Sequence, residues 1–380
     1  MSGAPLDGLL VIDMAQFLSG PSAALRLGDM GARVVKIERP GSGDICRTLY
    51  LSDTDIAGDS TLFHAINRGK QSLAADLKDP ADLARVKRLL RRADVVIQNF
   101  RPGVAERLGI GPDALLAEHP GLIVGTISGY GETGPWVDWP GQDLLAQALS
   151  GVTWLSGDAD DGPVPVGLSI ADMLAGHILA EGILAALVRR GRTGKGGLVQ
   201  TSLLEAIVDF QFEVLTTHLN DGGRPPRRAR DRNAHAYLGA PYGIYRTGDG
   251  WLALAMMPLE KLAPLLDLDF GDAEAFRDRD RVKAMIADRL ATQSTEAWLD
   301  RLRAHDIWCA PVLDWPALLG SEAFRRLDML QRITRGDAAI ATTRAPWRLD
   351  GARPANGAGA PRVGEHGERL CREFGLDEKE

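Results

Sequence analysis

The chain has 380 residues, of which 45% are hydrophobic and 25% are charged, which is typical of a soluble globular protein with two domains. Its 44 basic and 51 acidic residues give a net charge of -7, which argues against nucleic acid as the main partner. Its three cysteines lack metal-ligand spacing, and neither a basic leader nor an 18-residue apolar run is evident. We therefore expect a cytoplasmic protein with no membrane partner and no metal.

The first part of the chain alternates short apolar runs with helical patterns. The runs lie at residues 9–12, 34–37, 95–97 and 122–127, and helices are predicted from Gly20 to Gly31 and from Asp79 onward. This alternation predicts an α/β fold with a parallel sheet. A long apolar helix follows at 171–190.

A stretch rich in Gly, Pro and Arg at residues 220–233 interrupts this pattern and is interpreted as a linker or loop. After it, the sequence predicts a hairpin at 242–255, helices at 281–291 and 295–304, and a strand at 307–312. These elements predict a second, smaller α+β domain. A final amphipathic helix is predicted at about 365–374.

Asp172 lies in the first turn of the helix predicted at 171–190 and is the candidate nucleophile. The helix dipole and free amides there are expected to favour the charged carboxylate, while Ala175 and Gly176 would let a bulky ligand approach the backbone. The alternative is a carboxylate that only caps the helix.

Three polar or basic clusters are predicted to follow strand ends, where open α/β sheets bind their ligands. They are residues 38–41, 67–70 and 99–103, the last together with Arg107. Arg39 and Arg107 suit phosphate binding, Phe100 offers an aromatic surface, and Asn99 could anchor an amide. Each cluster alone is also typical of an ordinary turn. No glycine-rich dinucleotide fingerprint or phosphate loop occurs, so a permanently bound cofactor is not predicted.

Several short motifs occur in order along almost the whole chain, and together they are specific. On them the chain resembles the class III coenzyme A transferases, also called the CaiB/BaiF family. The motifs are Leu6-Asp7-Gly8, Leu18-Ser19-Gly20-Pro21, Val35-Lys36-Ile37-Glu38-Arg39-Pro40-Gly41, Asn67-Arg68-Gly69-Lys70, Asn99-Phe100-Arg101-Pro102-Gly103, Ser128-Gly129-Tyr130-Gly131, Ala240-Pro241-Tyr242-Gly243, Cys309-Ala310-Pro311-Val312 and Gly364-Glu365-His366.

The resemblance implies a Rossmann-like large domain built from both ends of the chain, and a homodimer whose two subunits interlock. The expected large domain spans residues 1–205 and is completed by 330–380. The linker and small domain then span 206–329.

The resemblance also implies a CoA-transferase whose nucleophile is Asp172. This carboxylate would take CoA from an acyl-CoA donor through a covalent aspartyl intermediate and pass it to a small organic acid, with CoA acting as substrate rather than as a resident cofactor. The positions that match the family's CoA-binding residues are Leu18, Ser19, Arg39, Ala75, Asp76, Leu77, Lys78, Asn99, Phe100, Arg101 and Arg107.

The chain differs from two related branches of the family, and these differences limit the reactions that are expected of it. The racemase branch, which inverts 2-methylacyl-CoA, has a histidine where Gln142 stands, and glutamine cannot exchange a proton. Leu18 replaces a glutamine of the formyl-CoA:oxalate transferases, which disfavours oxalate as the acceptor. Gln16 and Gln142 are expected to shape the substrate pocket. A 2-methylacyl-CoA racemase and a catalytically silent CoA-binding protein are the alternative functions.

Overall fold

The computed structural model of the chain describes residues 3–354 and 357–377. The chain divides into two compact units: Met1–Ala146, Ser169–Asp209 and Arg326–Glu380 form the first, and Gln147–Leu168 and Phe210–Arg325 form the second. The sequence-based division differs mainly at 147–168, which it assigned to the large domain.

Hydrogen bonds between distant residues explain why 147–168 belongs to the second unit. Arg228 donates through Nη1 to the carbonyl oxygens of Ser156, at 2.7 Å, and Gly162, at 2.9 Å. The Asn233 N–H donates to Asp158 Oδ1 at 2.7 Å. Hydrophobic periodicity reports only local structure, so the sequence did not predict these contacts.

The first part of the chain, through residue 209, alternates strands and helices as predicted. Short 3-10 helices also span Ile45–Thr48 and Val152–Trp154. The strands and α-helices are β1 (Leu10–Asp13), α1 (Ser19–Asp29), β2 (Arg33–Glu38), β3 (Asp55–Ile56), β4 (Asp59–Ser60), α2 (Thr61–Asn67), β5 (Gln71–Ala74), α3 (Pro80–Leu90), β6 (Val95–Gln98), α4 (Val104–Arg107), α5 (Pro112–Glu118), β7 (Ile123–Ser128), α6 (Asp143–Ser150), α7 (Ile170–Thr193), β8 (Gly197–Ser202) and α8 (Leu203–Asp209).

The remaining elements fall into two groups. The second unit contains α9 (Phe212–Asn220), β9 (Gly243–Arg246), β10 (Trp251–Leu254), α10 (Leu259–Leu266), α11 (Arg279–Leu290), α12 (Thr295–Arg303), β11 (Cys309–Pro311), α13 (Trp315–Gly320) and α14 (Glu322–Leu327). The end of the chain adds β12 (Leu330–Arg335), β13 (Ala338–Thr343) and α15 (Gly367–Phe374).

A six-stranded sheet organises the first unit in the order β5-β2-β1-β6-β7-β8, and every neighbouring pair is parallel. The predicted α/β class with a parallel sheet is confirmed. In the second unit β11, β10 and β9 form an antiparallel sheet beside helices, as expected of an α+β domain. Its core includes the buried residues Tyr245, Val282 and Trp298.

The core of the first unit lies on and around the central strands. Ile12, Val35 and Val96 pack there with α3, and Leu370 and Leu376 from the C-terminal region complete the cluster. These last contacts bring the end of the chain back to the first unit.

Helix α7 is long and apolar enough to cross a bilayer by length and composition, with a mean hydropathy of 1.6 over its most apolar window. Core helices of globular proteins meet the same criterion. Leu179 and Ile183 of α7 are fully buried, and both pack within about 3 Å of the position that a side chain at Gly125 of β7 would occupy. The helix thus packs its apolar face on the central sheet.

Candidate active site

The segment that joins β1 to α1, residues 14–18, is fixed by polar contacts on both sides. Asn99, just after β6, accepts the Gln16 N–H at 2.9 Å and donates to the Gln16 carbonyl oxygen at 2.8 Å. The Phe17 N–H donates to Asp44 Oδ1 at 3.2 Å. Phe17 has a φ of 63°, a left-handed conformation that is unfavourable for a bulky residue. Such conformations cluster at functional sites, where the surroundings hold them.

Buried charges lie beneath this segment. Lys36 Nζ lies 2.8 Å from Asp44 Oδ2 and donates to the Ala15 carbonyl oxygen at 2.7 Å, and Lys70 Nζ lies 2.8 Å from Asp13 Oδ2. Burial alone would lower the pKa of Lys36, but the carboxylates of Asp13 and Asp44 outweigh it and hold that pKa above its ordinary value. Burial prevails at Lys70 and lowers its pKa to about 8.

The Asp172 carboxyl lies in the first turn of α7, as predicted. Burial and, to a smaller degree, the nearby carboxylate of Asp143 raise the pKa of Asp172 to about 6, and a hydrogen bond from the Ser19 side chain opposes the rise. The helix terminus was expected to favour the ionised carboxylate. That expectation is wrong, because burial raises the pKa and favours the protonated form. The sequence could not show how deeply the carboxyl is buried.

Asp143, rather than Asp172, caps α7. Its Oδ1 accepts the backbone N–H groups of Ala171, at 2.7 Å, and Asp172, at 3.1 Å. These amides are among the free N–H groups of the helix terminus that were expected to stabilise the Asp172 carboxylate. The capping role left open for Asp172 therefore belongs to its neighbour, and the Asp172 carboxyl is not the cap.

Gly176 has a different role from the predicted one. A Cβ at this position would lie 2.1 Å from Ser22 Oγ and 2.7 Å from the Ser19 carbonyl oxygen, so α1 fills the space that was expected to admit a ligand. The absence of a side chain instead lets α7 approach α1 closely. This approach brings Ser19 against Asp172.

The raised pKa of Asp172 predicts how the stability of the fold changes with pH. As the pH rises from about 4 to about 6, this carboxyl ionises more readily in the unfolded chain than in the folded one, so its contribution to stability falls and then levels off. A difference of about two pKa units corresponds to roughly 3 kcal/mol. We expect Asp172→Asn to raise the free energy of unfolding by up to about this amount at pH 7.5.

Urea denaturation of both proteins across this pH range provides the measurement. The gain in the variant should shrink steadily as the pH falls from about 6 to about 4. Asp337→Asn, which neutralises an exposed turn residue, is the matched control and should change stability little at any pH. A gain from Asp172→Asn that does not depend on pH would contradict the assigned cause.

A cleft of about 1170 Å³ opens in the first unit at the carboxyl ends of β2, β5 and β6. Most of the residues that the resemblance assigned to CoA line it, together with Gln16 of the predicted substrate pocket. They are Arg39, Ala75, Asp76, Leu77, Lys78, Phe100 and Arg107. Seven of the eleven CoA positions predicted from the sequence therefore meet in one cleft.

The other predicted positions lie outside the cleft lining. Asn99 holds Gln16, and Ser19 contacts Asp172. Leu18 is buried in an apolar cluster with Cys46 and Phe63. Arg101 and Gln142 are exposed.

The prediction that residues 67–70 follow a strand is wrong. Asn67 ends α2, and the following residues lead into β5. Arg68 forms a buried ion pair with Asp29, and Lys70 pairs with Asp13. These basic side chains hold the fold together and have no charge free for a ligand.

The sequence patterns did not predict the ion pairs that four charged residues form in the cleft wall. Arg47 pairs with Glu38 at 2.7 Å and with Asp59 at 2.7 Å, and Arg335 of β12 also contacts Asp59. All four side chains are largely buried. No local motif joins residues so far apart in the chain. Among residues 3–354 and 357–377 no cluster of three or more His, Cys, Asp or Glu side chains could hold a metal ion.

Comparison with known proteins places the chain in a family. The family model of CoA-transferase family III matches residues 6–367, and the chain belongs to that family of transferases. It is 33% identical over 98% of its length to an acetyl-CoA:oxalate CoA-transferase of Acetobacter aceti, covering 97% of that protein. It is 34% identical, again over 98% of its length, to a succinyl-CoA:mesaconate CoA-transferase of Haloarcula hispanica, covering 96% of it.

A solved structure agrees with this assignment. The crystal structure of a CaiB/BaiF family protein from Brucella suis superposes with a TM-score of 0.84 at 30% identity. The match covers 98% of this chain and 100% of that one. The resemblance recognised from the sequence motifs is confirmed.

Proposed function

We propose that the protein moves CoA from an acyl-CoA donor to a small carboxylic acid through a covalent intermediate on Asp172. The observation that carries the proposal is the Asp172 carboxyl itself. It is partly buried, its pKa is raised to about 6, and it accepts a hydrogen bond from Ser19, at the end of the segment that also places Gln16 in the cleft. At neutral pH this carboxyl is mostly ionised yet poorly solvated, which suits a nucleophile.

The exchange needs no redox partner, since each step replaces one acyl bond by another. A carboxylate oxygen of Asp172 attacks the thioester carbon of the donor, the C–S bond breaks, and CoA leaves as the thiolate. The thiolate then attacks the Asp172 carbonyl of the resulting anhydride, which releases the donor acid and leaves an aspartyl-CoA thioester. The acceptor carboxylate attacks this thioester, its C–S bond breaks, and a second anhydride forms with release of the CoA thiolate. The thiolate finally attacks the acceptor's carbonyl in that anhydride, which gives the new acyl-CoA and releases the Asp172 carboxylate.

The cleft supports CoA as the ligand. It has a volume of about 1170 Å³ and carries exposed basic side chains at Arg39, Lys78 and Arg107, although the chain as a whole is acidic. Phe100 supplies an aromatic surface.

We propose acetyl-CoA or succinyl-CoA as the donor. The relatives named for acetyl-CoA:oxalate and succinyl-CoA:mesaconate transfer support this choice. The first of them also brings oxalate back among the acceptors to be tested, although Leu18 disfavours it by comparison with the formyl-CoA:oxalate transferases.

Trapping the intermediate tests the proposal. The protein is incubated with acetyl-, succinyl-, propionyl- or formyl-CoA, treated with hydroxylamine or borohydride, and digested for mass spectrometry. We expect a modified peptide containing Asp172 with the correct donor and no adduct in Asp172→Asn. Intact CoA binding without an adduct from any donor would contradict the covalent route.

The proposal has two further parts. The cysteine usage of the sequence supports a cytoplasmic location, and the resemblance alone supports an interlocked homodimer. Light scattering tests the second, and a mass near the 40.9 kDa of one chain would contradict it.

A further inference from the structure

Some of the basic side chains that line the cleft are neutralised by carboxylates, and others are not. Arg47 and Arg335 are neutralised by Glu38 and Asp59. Within the part of the chain that the structure describes, four other cleft-lining cations make no ion pair: Arg39, Lys78, Arg107 and Arg362. All four are exposed and therefore available to an anion. The first three match family CoA positions, whereas neither the motifs nor the relatives assign a role to Arg362.

Hydrogen bonds, one buried and one partly buried, fix the backbone on both sides of Arg362. The Pro361 carbonyl oxygen accepts from Arg47 Nη2 at 2.9 Å, and the Gly364 N–H donates to Ser72 Oγ at 2.9 Å. Ser72 Oγ in turn donates to Glu38 Oε2 at 2.6 Å. Arg47 also donates to Glu38 Oε1 at 2.9 Å. Pro361 and Gly364, on the two sides of Arg362, are thus linked through Arg47 and Ser72 to Glu38, the residue before Arg39.

A steric contact brings the same two segments together. Gly43 has a φ of 66°, and a Cβ there would lie 2.8 Å from Val363 Cγ2. The loop after Arg39 therefore packs against the residue after Arg362. Two arginines on touching segments, both exposed and both lining one cleft, form a pair of donors suited to one phosphate.

We infer that Arg362 is a phosphate-binding residue of the CoA site and acts with Arg39 on the nucleotide half of the ligand. This inference rests on the proposed function, since it takes CoA as the ligand. The phosphate is either the 3′-phosphate or the pyrophosphate of CoA. The network of Glu38, Arg47 and Ser72 holds the backbone that positions Arg362.

Calorimetric titration of the full-length protein with CoA and with 3′-dephospho-CoA tests the inference. We expect Arg362→Gln to weaken CoA binding about 10- to 100-fold, the range for loss of a charged hydrogen bond, and Arg362→Lys to restore part of it. If the 3′-phosphate is the partner, dephospho-CoA should bind wild type and variant equally. If the pyrophosphate is the partner, both ligands should lose affinity. Since the side chain is exposed, the variant should keep the wild-type melting temperature.

The matched control is Arg369→Gln, an exposed arginine of α15 outside the cleft lining, which should bind CoA as the wild type does. Kinetics supply a second readout. Arg362→Gln should raise KM for the acyl-CoA donor by the factor lost in binding and leave kcat nearly unchanged, because the phosphate lies far from the reacting bond.

The single variants at Arg39 and Arg362 and their combination test whether both arginines hold the same phosphate. The combined loss in Arg39→Gln with Arg362→Gln should then be smaller than the product of the single losses. Unchanged affinity of Arg362→Gln for both ligands would overturn the inference and leave the proposed function intact. A wild-type protein that binds no CoA would overturn both. Dependence of CoA binding on Arg362 without any exchange activity would uphold the inference and refute the transferase.

Discussion

Replacing Asp172 with asparagine is expected to lower the rate of CoA exchange at least about 1000-fold, the scale on which enzymes lose activity with their nucleophile. The amide is nearly the same size as the carboxyl and can still accept the hydrogen bond from Ser19. It cannot form the anhydride or the thioester. Because Asp172 does not line the CoA cleft, the affinity for CoA should change little.

The measurement follows new acyl-CoA by chromatography, with acetyl-CoA or succinyl-CoA as the donor and a panel of carboxylic acids as acceptors. CoA affinity is titrated in parallel on the same preparation. Asp337→Asn serves as the matched control, because it neutralises an aspartate in an exposed turn and should keep full exchange.

The two alternative functions give different results in this assay. A silent CoA-binding protein would show no exchange even in the wild type and equal CoA binding in both proteins. A racemase would incorporate solvent deuterium at the α-carbon of a 2-methylacyl-CoA and lose that activity with Asp172. Exchange that survives in Asp172→Asn would exclude this carboxylate as the nucleophile.

Local patterns predicted the parts of the fold that depend on local structure. The strands at β1, β2, β6 and β7 are runs of β-branched residues buried on both faces, and such runs are evident in a sequence. Strand β5, with the sequence Gln71-Ser72-Leu73-Ala74, and β8, which contains Gly197 and Gln200, lack that signal. They are the two edge strands of the sheet, where fewer residues need to be apolar.

The candidate site likewise contains some residues that local patterns predicted and others that they did not. Arg39, Phe100 and Arg107 follow recognisable strands, so the rule for open α/β sheets predicted that they would meet. Arg335 and Arg362 reach the same cleft from the C-terminal region. Arg335 contacts Asp59, and the residues beside Arg362 bond through their backbone to Arg47 and Ser72. The pKa of Asp172 likewise depends on burial and on Asp143, a residue 29 positions earlier that turns its Oδ1 to the same helix terminus. Tertiary packing sets these features, and spacing along the chain does not report it.

Replacing Lys36 with methionine is expected to destabilise the first unit by about 3–5 kcal/mol, the usual result of leaving buried charges without their partner. Lys36 is fully buried, 2.8 Å from Asp44 Oδ2 and 3.7 Å from Asp13 Oδ2. Lys70 would remain beside Asp13, but Asp44 would keep a desolvated carboxylate facing an apolar side chain. Urea denaturation at pH 7.5 measures the loss.

Two variants test this cause. Arg85→Gln removes partly exposed ion pairs with Asp82 and Asp377 and should cost less than about 1 kcal/mol, so it controls for the loss of any cation from this unit. Asp44→Asn combined with Lys36→Met should be more stable than Lys36→Met alone, because it removes the unpaired carboxylate. If the double variant were instead less stable, the loss would come from packing. Because Lys36 also donates to the Ala15 carbonyl oxygen, the double variant should recover stability while the segment that leads to Ser19 and Asp172 remains loosened. Exchange should therefore not recover in step with stability.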